Sequence, residues 1–132
     1  MKLTMRALLS FVICLLVIPT ALARKPEAQP KATIAGVYEN FTIGKGSGDL
    51  EGMRVVIVPA GDGYYAIVQI AQGGAEDPKP EFVAAKVKGM SVAFSVGDEK
   101  FNGTVTPTGL RLKNSAGESQ TLRRKACSSY FR

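Results

Sequence analysis

The sequence predicts an all-β protein, a compact antiparallel barrel of about eight strands that is mostly up-and-down and follows a cleaved signal peptide. Three observations carry this expectation. From residue 34 onward apolar residues recur with a period of two. Turn residues interrupt that alternation every eight to twelve positions or so, the spacing of sandwiches and barrels. No stretch of the same region carries a helical repeat. Short loops join neighbouring antiparallel strands, and about eight such strands can close on themselves and remove exposed edges.

The elements follow in chain order. Lys2 and Arg6 precede an apolar run at residues 7–19, and Thr20-Ala21-Leu22-Ala23 ends it with small residues at 21 and 23. This is the three-part pattern of a secretory signal peptide, here residues 1–23 with cleavage after Ala23. The run is shorter than the roughly 20 residues that span a bilayer. The expected location is therefore outside the cytoplasm: the periplasm for a Gram-negative bacterium, otherwise secreted. Cleavage removes two of the 17 basic residues and none of the 11 acidic ones, leaving a net charge of +4. It also removes Cys14, so Cys127 remains alone and no internal disulfide is available. Stability must come from a packed core.

Residues 24–33, with Pro26 and Pro30, read as a flexible lead-in. The barrel is expected over residues 34–126, with strands at 34–43, 50–58, 64–71, 81–87, 90–96, 100–106, 110–113 and 118–125. Met90, Val92, Phe94 and Val96 fall on one face of the fifth strand; Phe101, Gly103 and Val105 fall on one face of the sixth. Residues 127–132 form a C-terminal tail. Its Cys127 is available for an intermolecular disulfide, or for burial as a small apolar residue.

Composition and motifs exclude several functions. The chain has no histidine, which removes the commonest general base and the commonest metal ligand. Gly44-x-Gly46-x-Gly48 lacks the Gly-Lys-Ser/Thr of a phosphate loop and the third glycine of a dinucleotide fingerprint. Zinc and calcium patterns are absent from the sequence. The expectation is a non-enzyme with no catalytic residues, no cofactor and no metal site.

Binding is the remaining class. Glu39 shares a face with Val37, Phe41 and Ile43, as a buried ligand-binding carboxylate or a carboxylate at the barrel rim would. Tyr64 and Tyr65 follow a turn, so one ring points in and the other out, free to stack on a sugar or a partner. Loops 44–49, 61–63 and 72–80 are expected to surround an open mouth. Residues 111–132 hold Arg111, Lys113, Arg123, Arg124, Lys125 and Arg132 against Glu118 alone. That balance suits an anionic lipid, an acidic glycan or an acidic protein. Nucleic acid is not an expected partner, because stacking aromatics are few and an exported protein rarely meets it.

Gly36-Val37-Tyr38 near the start and Leu122-Arg123-Arg124 near the end resemble paired elements of calycin-type barrels, the lipocalins and avidins among them. There a Gly-x-Trp aromatic plugs one end of the barrel, and an Arg or Lys of the last strand packs over the ring. The resemblance implies that Tyr38 is the plug, that Arg123 or Arg124 is the lid, and that the first and last strands are neighbours. Tyrosine stands where those families carry tryptophan. The expected function is an exported, non-enzymatic binding protein for a small ligand or an envelope component. The alternative is a protein inhibitor or immunity-type partner of a toxin or hydrolase.

Overall fold

A computed structural model describes residues 33–74 and 78–126. The signal peptide, most of the lead-in and the tail with Cys127 lie outside the described residues. Among the described residues nine strands form one sheet: β1 (Gly36–Glu39), β2 (Thr42–Ile43), β3 (Leu50–Ala60), β4 (Gly63–Gln72), β5 (Glu81–Lys88), β6 (Ser91–Val96), β7 (Glu99–Thr106), β8 (Gly109–Asn114) and β9 (Ser119–Lys125). From β3 onward each strand pairs antiparallel with the next. Strand β1 pairs with β9 on one side and β3 on the other, so the sheet closes into a ring.

The ring has eight strands, because β1 and β2 are two halves of one. Both pair with β3 in a single register, Glu39↔Arg54 and Thr42↔Glu51. The break falls at Asn40, whose side-chain Oδ1 accepts the Met53 N–H at 2.7 Å in place of a main-chain carbonyl. Next to the facing Met53, Gly52 sits at φ 112°, a conformation that side chains disfavour, and a Cβ there would stand 2.8 Å from the Asn40 carbonyl oxygen. The expected strand at 34–43 is thus present, split by an amide that competes with the ladder.

Alternation places one set of residues inside. Tyr38, Met53, Val55, Ile57, Val68 and Phe101 are nearly or fully buried there, joined by Leu110, Leu112 and Leu122. Phe94 and Phe101 face each other across β6 and β7, with ring centroids 5.3 Å apart. Eight strands leave an interior that side chains can fill, and this core runs around the ring from β1 to β9.

The up-and-down order also fixes the two ends. Loop 44–49 and the β4–β5 connection share one end, where the Gly73 N–H donates to the Leu50 carbonyl at 3.1 Å. The β3–β4 turn at 61–62 lies at the other end, together with the turns at 89–90 and 107–108. The expected mouth ringed by all three loops does not form. Successive antiparallel strands put consecutive connections at opposite ends.

Candidate binding site on the barrel wall

The end carrying the 61–62 turn is closed by Tyr38 and Arg124. The two residues are register partners across β1 and β9. The guanidinium carbon of Arg124 lies 4.9 Å from the Tyr38 ring centroid, within cation–π range. Arg124 Nη2 donates to the Tyr38 hydroxyl at 2.6 Å, and Nη1 donates to the Ala35 carbonyl at 3.2 Å. Nη2 also reaches the Thr33 carbonyl. The Tyr38 hydroxyl donates to the Ile34 carbonyl at 2.8 Å. Gly36 makes room for this, since a Cβ there would stand 2.7 Å from Arg124 Nη1. Arg123 points outward and is exposed, so Arg124 alone covers the ring.

The ring of Tyr38 is fully buried. The geometry gives the hydroxyl its own part, since it bridges the Ile34 carbonyl and the guanidinium. Tyr38→Phe is expected to cost about 1–3 kcal/mol at neutral pH, the penalty for leaving a buried partner unsatisfied. Burial raises the pKa of the phenol above its ordinary 10.0, and the charge and hydrogen bond of Arg124 only partly oppose this. The folded state therefore holds the phenolic proton more tightly than the unfolded chain. That contribution is complete below about pH 10 and declines as pH rises through the folded pKa. Urea titrations should show the gap between wild type and Tyr38→Phe narrowing above about pH 10. A gap independent of pH would contradict a raised pKa.

The residues expected to bind ligand are not brought together. Glu39 lies on the outer wall, its side chain 12% exposed, held by Arg54 at 2.8 Å and Lys125 at 3.1 Å. It is an ion-paired wall residue, outside the barrel lumen. Its face, shared with Val37 and Phe41, is the exterior one. Arg54 also lies 5.0 Å over the Phe41 ring and donates to Gln69 at 3.2 Å. Tyr64 turns inward and packs against the core. Tyr65 turns outward and stacks on Phe82 at 4.9 Å and 9°. One ring in and one out is the arrangement, but Tyr65 is already occupied by a cross-wall neighbour.

A different feature emerges on the outer wall of β5–β9. Two transverse rows of register partners run across it. One row is Lys86, Ala93, Asn102, Lys113 and Ser119. The next is Lys88, Ser91, Thr104, Arg111 and Thr121. Each row has a cation on β5 and another on β8, with two small residues between them. The result is a trough of about 710 Å³ lying over β6 and β7. Three strand spacings separate its two rails at the backbone, about 14 Å. A second hollow of about 500 Å³ shares Lys86, Ala93 and Asn102, and it extends the trough to Ser95 and Lys100.

Electrostatically the trough is one-signed. No Asp or Glu occupies an outward position of β5–β9: Glu81 and Glu99 fall on the inward-facing register, and Glu99 accepts from the Asn114 amide at 2.8 Å. None of Lys86, Lys88, Arg111 and Lys113 has an ion-pair partner among the described residues. Sequence reasoning found Arg111 and Lys113 but missed Lys86 and Lys88. The available signal was parity: with Val83, Ala85 and Val87 facing in, 86 and 88 must face out, beside β6.

Comparison with protein-family models, with curated proteins and with solved structures returns no match. Fold and wall together define a class: a closed, eight-stranded antiparallel barrel, compatible with a calycin-like architecture, that carries a basic trough on its exterior.

Proposed function

We propose that this is an exported, non-enzymatic binding protein, working without a cofactor, that takes an anionic ligand in the trough over β6 and β7. The observation that carries this reading is the convergence of Lys86 and Lys88 with Arg111 and Lys113 from two separated strands, with no acid among them. Natural surfaces usually intersperse both signs. A one-signed concave site raises the local concentration of opposite charge and steers it inward. The Tyr38–Arg124 closure supports the calycin-like reading of the fold, but the binding surface proposed here is the wall rather than the lumen.

The test compares two double variants of equal charge change. Lys86→Gln/Arg111→Gln removes one cation from each rail, and Lys45→Gln/Lys79→Gln removes two from loops outside the trough. Titration calorimetry with anionic polymers should show the first pair losing affinity about tenfold, equivalent to about 1.4 kcal/mol. The second pair should stay within about twofold, since exposed charges more than a Debye length away are screened. Equal losses would mean that net charge alone governs binding.

A second reading, the inhibitor or immunity-type partner, is favoured by one observation. Phe82 is 64% exposed on the outer wall and stacks on Tyr65, and exposed aromatics anchor protein interfaces. The two readings use different stretches of the outer wall, Phe82 lying at the start of β5 and Lys86 and Lys88 at its end. A stoichiometric partner lost on Phe82→Ser, and retained by the trough variants, would favour this one.

A further inference from the structure

Resting on the anion-binding reading, we infer that the trough is built for one chain of a linear acidic polysaccharide, lying along β6 and β7. Three features of the trough select this class. The first is the axial arrangement of charge. Lys88 and Arg111 mark one level, Lys86 and Lys113 the next, and Lys100 a third. Alternate residues of a strand are about 7 Å apart, so the three levels span about 14 Å. A single small anion engages only one level. A chain that repeats its charge along its length engages all of them.

The second feature is the floor. Ser91, Asn102, Thr104 and, beyond the far rail, Thr121 offer hydroxyl and amide groups, each able to donate and accept. That is the complement of sugar hydroxyls. Among the described residues no aromatic side chain lines the main trough, whereas single-stranded nucleic acid is held by stacking on aromatic rings. The third is shape. A trough two strands wide between long cationic side chains admits one chain, while a bilayer surface is too broad to enter it.

The experiment titrates the mature chain with galacturonic acid, with oligogalacturonates of increasing length, with neutral dextran, with inorganic polyphosphate and with phosphatidylglycerol vesicles. Affinity for the oligogalacturonates should rise about tenfold or more with length and then level off as the trough fills, and dextran should not bind. Lys86→Gln/Arg111→Gln should weaken the longest oligogalacturonate about tenfold and flatten the length dependence, since each of the first two levels keeps one cation. Asn102→Ala/Thr104→Val should weaken oligogalacturonate about fivefold, by losing two hydrogen bonds of modest net worth, and leave polyphosphate unchanged. Both residues face outward, so each variant should keep the far-ultraviolet dichroism of the parent. Binding of polyphosphate or vesicles through the trough, with oligogalacturonate inert, would overturn the polysaccharide inference and leave the anion-binding reading standing. No binding of any anion would overturn both.

Discussion

Tyr38→Ala is expected to lower the unfolding free energy by about 3–5 kcal/mol, the range for deleting a buried aromatic side chain. The ring is fully buried, so its removal leaves a cavity at the closed end. The same change strands the Arg124 guanidinium, which loses the ring face and the hydroxyl together. The cation–π contact alone contributes about 0.5–2 kcal/mol, so the cavity dominates. Urea unfolding followed by dichroism should show a lower midpoint with an unchanged slope. Arg124→Met, which keeps much of the bulk, should cost clearly less. Equal losses from the two variants would mean that the cation and not the ring volume holds this end together.

The second large effect is expected at Gly109, the first residue of β8. A Cβ built there would stand 2.2 Å from the Leu122 carbonyl oxygen, a main-chain atom of β9. Backbone cannot rotate aside as a side chain can, so the β8–β9 pair must separate. Gly109→Ala should therefore destabilise by about 1–3 kcal/mol or more, the range for overpacking. The Thr106 hydroxyl, which accepts the Gly109 N–H and donates to the Gly109 carbonyl at 3.1 Å each, would be displaced with it. Amide exchange should accelerate first along Leu110–Leu122, where the two strands meet. A variant as stable as the parent would show that the strands have slack at this point.

How much of this was legible beforehand differs by feature, and the reason is the range of the interaction. Alternation in β6 and β7 is local, so Val92, Phe94, Phe101 and Val105 could be assigned to the core from their spacing. Turn residues were equally plain. The break at Asn40 depends on a side chain taking a main-chain role opposite Met53, which no periodicity encodes. Alternation says only that Glu39 shares a face with Val37 and Phe41, so it leaves the side of the wall open. Which face is outside is set by Tyr38, whose burial defines the interior. The trough depended on register across four strands. Lys86 and Lys113 are 27 positions apart in the chain, and they share a row only because the β5–β6, β6–β7 and β7–β8 hairpins all close in step. The opposite placement of loops 44–49 and 61–62, by contrast, could have been counted from hairpin order alone.

The pairing of β1 with β9 has a topological consequence. Val37 faces Lys125, so the described chain enters and leaves the barrel side by side at the end capped by Arg124. The described chain is thus nearly a circle whose cut falls at that seam. Splicing residue 126 back to residue 33 through a short linker and reopening the chain in the β4–β5 connection would preserve every strand pairing. The barrel's order of neighbours is the same whichever strand comes first in the chain.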